Sequence, residues 1–195
     1  RGWDGTIVVA TGKAVPYPIA LCEYIGIDIL VVAENGGGIV HNNDLIPTYD
    51  LSPLRDFDKA FRGDGHDYGW PGSDLVNRWR QTEIAASHSV SLDLLKKYAS
   101  QFDLSVVDSN YAYHIGPSGV DKGVGLRVIS KRLGLNPMDF ISIGDSENDI
   151  PLFLATGNSY AVSNAPLPVQ AMANNVTTLP SASGLLEVLS SLKTN

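Results

Sequence analysis

Apolar residues follow two rhythms along this chain. Short unbroken runs read as buried strands: TIVVA (Thr6–Ala10), DILVVA (Asp28–Ala33), FISI (Phe140–Ile143) and NSYAV (Asn158–Val162). Helical stretches lie between them. Pro16 to Gly26 has proline at its start and glycine at its end. Val124, Val128, Ile129 and Leu133 recur at helical spacing, and Gly134 and Pro137 close that helix. A helix is predicted to begin near Asn148, another covers Pro166–Asn174, and a last one covers Ser183–Lys193. ENGGGIVHNNDLIPTY (Glu34–Tyr49) reads as a turn, a strand, a polar turn at Asn42-Asn43-Asp44 and a second strand.

The middle of the chain has a different pattern. Leu51–Phe61 predicts a helix. Arg62–Asp74 is rich in glycine and charge without periodicity and predicts a long loop. Ser91–Ser100 predicts a helix with Ser91 as N-cap and Asp93 in its first turn. LSVVDSN (Leu104–Asn110) and YAYHI (Tyr111–Ile115) pair as a hairpin. Strand–helix alternation at both ends predicts a parallel α/β sheet built from residues 1–48 and 119–195. Residues 49–118 form an inserted α+β unit.

Composition narrows the function. The chain has 195 residues, 44% of them hydrophobic, and one cysteine, so it can bury a core without a disulfide framework. Cys22 sits in an apolar run and reads as a small buried hydrophobe. A formal net charge of −7 argues against nucleic acid as partner, though not against a small phosphate ligand. No apolar stretch reaches the roughly 18 residues of a membrane span. The expected protein is soluble and cytoplasmic; a homodimer is compatible with the pattern and not required by it. Signatures of serine hydrolases, P-loop proteins and dinucleotide-binding folds are missing. His41, His66, His88 and His114 show no metal-ligand spacing.

The charge that needs explaining lies in FISIGDSENDIPLF (Phe140–Phe153). Asp145, Glu147 and Asp149 fall within five positions, just past a buried strand. Ligands of parallel α/β sheets bind at the carboxyl ends of strands. A helix N-terminus stabilises a carboxylate by only about 0.5 kcal/mol, too little for several crowded acids. A magnesium ion held by Asp145 and Asp149 would supply the missing cation. Thr11-Gly12 ends another strand, where a hydroxyl and bare backbone N–H groups can hold a phosphate oxygen. Lys122 falls in the first turn of a helix, the electrostatically wrong end for a lysine, which suggests use against a phosphate.

VVATG (Val8–Gly12), DKG (Asp121–Gly123) and GDSEND (Gly144–Asp149), in this order around an insertion, resemble three motifs of the haloacid dehalogenase superfamily of phosphatases. ENGGGIV, NRWR (Asn77–Arg80), YAYHI and GVDKGVG further resemble its archaeal phosphoglycolate phosphatases. The resemblance implies a parallel-sheet core with an inserted α/β cap, and hydrolysis of a small phosphorylated acid, most simply 2-phosphoglycolate. It implies that Thr11 bonds the phosphoryl group and that Lys122 binds phosphate and steadies the nucleophile. Asp145 and Asp149 would hold magnesium, Ser146 and Asn148 would support them, and Asn164 would support the site from behind. Arg78 and Arg80 either face a substrate carboxylate or form a solvated pair.

The superfamily's first motif, Asp-x-Asp-Gly-Thr, supplies the nucleophile and the general acid/base. In Trp3-Asp4-Gly5-Thr6 a glycine, Gly2, stands at the nucleophile's position. Asp56-Phe57-Asp58 has the spacing but lies in the insertion. The first core strand is therefore expected outside this sequence, in a longer protein, and the chain alone is expected to be inactive. Two alternatives stand beside the leading reading: another sugar-phosphate phosphatase of the same fold, and a non-catalytic phosphate- or metal-binding module.

Overall fold

The computed structural model describes residues 5–109 and 111–192. Trp3 and Asp4 of the WDGT stretch, Asn110 and Lys193 lie outside the described residues. Strand β1 (Val9–Ala10) leads through helix α1 (Pro16–Ile25) to β2 (Val31–Ala33), parallel to it with Val9 opposite Val31. Prolines open α1 and Gly26 closes it in the left-handed conformation, its N–H returning to the carbonyls of Cys22 and Glu23. A single 3-10 turn at Glu34–Gly36 follows β2, then β3 (Gly38–His41) and β4 (Asp44–Pro47), each antiparallel to its predecessor. Asn42 and Asn43 both have positive φ, 54° and 63°, as a tight hairpin turn demands. TIVVA is shorter as a strand than its apolar run predicts. Among the described residues it pairs with β2 alone, with Val9 N–H donating to Leu30 O at 2.9 Å just before β2 and Thr11 N–H donating to Val32 O at 2.8 Å.

The next segment builds its own core. It comprises α2 (Ser52–Gly63), the single turn α3 (Leu75–Arg78), β5 (Ile84–Ala86), α4 (Leu92–Ala99), β6 (Leu104–Asp108) and β7 (Tyr113–Pro117). The three strands pair antiparallel in the order β5-β7-β6. Phe57, Phe61, Tyr68, Leu95 and Ile115 are fully buried between helices and sheet. The rings of Phe57 and Phe61 stack at 5.6 Å and those of Phe61 and Tyr68 at 5.1 Å. Each such side chain contributes roughly 2 kcal/mol on burial. The predicted loop Arg62–Asp74 is irregular after Gly63, but Tyr68 anchors it, its hydroxyl donating to Asp58 at 2.8 Å.

Helix α5 (Lys122–Leu133) follows, with the Asp121 carboxylate capping Val124 N–H at 2.8 Å and Gly134 closing it at φ 69°. Then come β8 (Ile141–Gly144), α6 (Ile150–Ala155), β9 (Asn158–Ala161), α7 (Leu167–Met172), β10 (Asn175–Val176) and α8 (Ser181–Leu192). Strands β8, β9 and β10 are parallel. The parallel core is thus two half-sheets, β1-β2-β3-β4 and β10-β9-β8, with no ladder between them among the described residues. One edge of β1 and one of β8 take no described strand. Helix α5 holds the halves together: Leu126 and Ile129 pack with Val32 and Ile39 on one side and with Leu152 and Ala155 of α6 on the other. Gly125 permits this approach, since a Cβ there would lie 2.3 Å from Val32 Cγ1. Cys22 is fully buried beside Val31 and Val40, as expected of a small hydrophobe.

The helix predicted near Asn148 starts as a 3-10 turn at Glu147–Asp149 and becomes α-helical at Ile150, where Pro151 occupies the first turn. Strands β5 and β10 have no counterpart in the sequence reading. They are three and two residues long and take shape only from their pairing partners.

Candidate active site

The loops at the carboxyl ends of β1, β2 and β8 and the N-terminus of α5 line one side of a cleft of about 1230 Å³, and the segment from Tyr49 to Pro117 lines the other. Thr11 stands at the end of β1, its Oγ1 accepting Lys13 N–H at 3.1 Å. Gly12 follows with no side chain to spare, because a Cβ would come within 2.7 Å of Asn35 Oδ1.

The same side of the cleft carries a buried ion pair. Lys122 Nζ donates to Asp149 Oδ1 at 2.6 Å and to Asn148 Oδ1 at 3.2 Å. Lys122 and Asp149 are each 5% exposed. Asp149 Oδ2 accepts the N–H groups of Asp145 and Ser146 at 3.0 and 3.1 Å and Ser146 Oγ at 3.3 Å. The acid therefore shapes the loop after β8 and balances the lysine at once. A lysine at a helix N-terminus is unfavourable to the dipole, and this carboxylate offsets it. Asp145 differs from Asp149. It is exposed in the cleft, and its carboxylate accepts no hydrogen bond from a described residue. Among the described residues no three His, Cys, Asp or Glu side chains gather as a metal cluster. Magnesium takes one or two carboxylates and keeps several waters, so the open Asp145 carboxylate, with Asn148 and Asp149 behind it, fits that ion's demands.

The far wall carries a second polar cluster. Glu83, 7% exposed, receives Arg80 Nη1 and His114 Nδ1 on Oε1, the latter at 3.0 Å, and Asn35 Nδ2 on Oε2 at 3.0 Å. His114 Nε2 lies 3.1 Å from Ser109 Oγ. Arg80 Nη1 also donates to Gly12 O at 3.2 Å, while its buried Nε has no protein partner. Glu34, 2% exposed, accepts the N–H groups of Gln81, Thr82 and Glu83 and the Thr82 hydroxyl, at 2.6 to 3.2 Å. Burial pushes the Glu34 carboxyl up, against the pull of those donors; the Glu83 charge adds to the rise. Burial, then the charges of Glu83 and Glu34, push the Tyr49 hydroxyl up as well. Among the described cleft-lining bases, Lys13 is the one with no carboxylate partner; its Nζ sits 5.0 Å from the Tyr111 ring centroid.

The structure brings Thr11, Gly12, Arg80, Lys122, Asp145, Ser146, Asn148 and Asp149 to one cleft. Two expected residues are not brought there. Arg78 lines a second hollow of about 510 Å³, which shares Arg80 and Glu83 with the cleft, and its guanidinium lies over the Trp79 ring at 5.6 Å. Position 78 ends the single turn α3 and is exposed. Asn164 binds the start of α8, its Oδ1 accepting Ser181 N–H at 2.7 Å. Arg80 is in the cleft but is not a free carboxylate receptor, since Glu83 and Gly12 take its Nη1. Glu34, Asn35, Glu83, His114 and Lys13 were missed as site residues. The run Glu-Asn-Gly-Gly-Gly after a buried strand was the available signal, an acid and an amide placed where glycines let other backbone approach.

A family model described as haloacid dehalogenase-like hydrolase matches residues 64–189. A phosphoglycolate phosphatase of Halobacterium salinarum is 44% identical over 193 residues, covering 99% of this chain and 86% of that protein. One of Natronomonas pharaonis is 40% identical over 203 residues, covering 100% and 87%. Among solved structures, a Thermoplasma acidophilum protein superposes with a TM-score of 0.78 at 22% identity, over 95% of this chain and 82% of its own. A haloacid dehalogenase-like hydrolase from Bacteroides thetaiotaomicron gives 0.71 at 18% identity, over 95% and 85%.

Proposed function

Because this chain belongs to the haloacid dehalogenase-like hydrolases, we propose that it serves a phosphatase acting on a small phosphorylated acid. The substrate is 2-phosphoglycolate, which water converts to glycolate and inorganic phosphate. The observation that carries the reading is the arrangement of Thr11, the Lys122–Asp149 pair and the open Asp145 carboxylate around one cleft. The names of the relatives at 40% and 44% identity support the substrate.

In this reading residues 1–48 and 119–195 are the core and residues 49–118 a cap. Thr11 Oγ1 and the bare Gly12 backbone receive the phosphoryl oxygens. Lys122 lies at the buried end of the cleft, oriented by Asp149 and Asn148, and supplies positive charge where phosphate sits. Magnesium, held by Asp145 with Asp149 and Asn148 behind it, would neutralise phosphoryl charge. One edge of β1 and one of β8 take no described strand. Edges of buried strands left open are unfavourable. Arg80 and His114 shape the cap side toward the substrate's carboxylate. Lys13 stands nearby without an acid partner. No helix among the described residues is long and apolar enough to cross a membrane.

The test is phosphate release by the intact protein from 2-phosphoglycolate and from a panel of sugar phosphates, with magnesium and with chelator. The expected result is magnesium-dependent turnover with the highest kcat/KM on phosphoglycolate. Preference for a sugar phosphate would replace the substrate. Magnesium-dependent binding without phosphate release would replace catalysis by a binding role.

A further inference from the structure

Asn35 sits where three parts of the cleft meet, and no catalytic or binding role has yet been attached to it. Its N–H donates to Thr11 O at 3.2 Å. Its side-chain Oδ1 accepts Asn148 Nδ2 at 3.0 Å, and its Nδ2 donates to Glu83 Oε2 at 3.0 Å. These bonds fix the amide's orientation. Flipped, it would point Nδ2 at the Asn148 amide donor and Oδ1 at the Glu83 carboxylate. Asn148 in turn accepts Lys122 Nζ on Oδ1, and Glu83 holds Arg80 and His114. An unbroken run of hydrogen bonds therefore joins Lys122 at one wall to Arg80 and His114 at the other, and within that run Asn35 is the residue that crosses from wall to wall.

Two further features distinguish Asn35 from an ordinary turn residue. Its φ is 53°, in the left-handed region, and Glu34 before it has φ 49°. Asparagine tolerates that region better than most residues, but two consecutive non-glycine residues there are unusual. Their side chains divide the work. Glu34 grips the backbone of residues 81–83, an anchor for the opposite wall. Asn35 binds the carboxylate that its two cleft-lining bases share. Anchoring alone would need only the first.

We propose that Asn35 is a positioning residue that couples the cap wall to Lys122, so that recognition of the substrate's non-phosphoryl polar group sets the phosphate-binding end. This rests on the phosphatase reading above. A substrate group that draws on Arg80 or His114 changes what Glu83 accepts. Glu83 then shifts its demand on Asn35 Nδ2, and Asn35 passes the change through Asn148 to Lys122. A phosphate ester with no second polar group bypasses this path.

The test compares the intact wild-type protein with Asn35→Gly, which removes both side-chain bonds while suiting the left-handed backbone. The readout is kcat/KM on 2-phosphoglycolate and on phenyl phosphate, which has no polar group besides the phosphoryl, with melting temperature as the control. Coupling between sites is commonly worth 5- to 150-fold, so the expected result is a loss of roughly tenfold or more on phosphoglycolate. Loss on phenyl phosphate should stay within about threefold on the same scale. Equal losses on both, or no loss, overturn the proposal, because a structural role does not distinguish substrates. If wild type prefers another phosphomonoester, the substrate assignment fails while the same ratio is read on the preferred one. If wild type hydrolyses none, the phosphatase reading fails. The coupling is then read as the Kd ratio for phosphoglycolate over inorganic phosphate by calorimetry. A ratio unchanged in Asn35→Gly overturns it.

Discussion

The Lys122–Asp149 pair makes an unequal prediction for its two members. Asp149 accepts from four donors: Lys122 Nζ, two loop N–H groups and the Ser146 hydroxyl. In Asp149→Asn only one side-chain atom can accept. The new amide NH2 must face either the Lys122 ammonium or the N–H groups of Asp145 and Ser146, and the ammonium loses its buried counter-charge. Breaking a buried pair this way costs about 3–5 kcal/mol. For a chain of this size each kcal/mol lowers the melting temperature by roughly 2–4 °C, so a fall of about 6–20 °C is expected. Lys122→Met keeps a comparable length of side chain and leaves Asp149 with its three loop donors. Its cost should be about 1–3 kcal/mol, a fall of roughly 2–12 °C. Thermal unfolding followed by circular dichroism at neutral pH, with both variants beside wild type, makes the comparison. If Lys122→Met melts at or below Asp149→Asn, the loop donors do not stabilise the carboxylate and the reasoning fails. Both variants should lose phosphate release, so stability and activity are expected to separate in Lys122→Met.

Other residues give independent checks. Gly12→Ala brings a methyl group to 2.7 Å from Asn35 Oδ1, so Asn35 must move; kcat/KM should fall at least tenfold with little change in melting temperature, by steady-state kinetics and calorimetry. Arg80→Ala leaves the buried Glu83 one donor short and should cost about 1–3 kcal/mol in urea unfolding, whereas Arg78→Ala should stay within about 0.5 kcal/mol. The Glu187 carboxyl is held below its ordinary range by the Thr178 N–H and hydroxyl and by Leu179 N–H. A depressed acid lends stability above its unfolded pKa and loses it as pH falls through its folded value. The melting-temperature advantage of wild type over Glu187→Gln should therefore shrink on acidification below about pH 4.5. An advantage that is flat or grows would contradict the assignment.

The sequence by itself determined what neighbouring residues settle among themselves. Gly26 and Gly134 close their helices in the left-handed form, Ser91 caps α4, and two asparagines turn the β3–β4 hairpin. Caps and tight turns are complete within a few positions, so local chemistry specifies them. Strand–helix alternation likewise announced parallel strands, and the GDSEND acids announced the cleft. Tertiary structure decided what depends on distant partners. Strands β5 and β10 are too short to declare themselves without the neighbours that bond them. Asp145 and Asp149 looked alike four residues apart, yet a lysine 27 positions upstream buries one and leaves the other open. Arg78 and Arg80, two residues apart, part company because a single helical turn sends one to Trp79 and the other to Glu83 and Gly12. Asn35 bonds residues 48 and 113 positions away. Which side chain meets which at such separations is set by how the half-sheets and the inserted segment pack on each other, and local pattern carries no record of that packing.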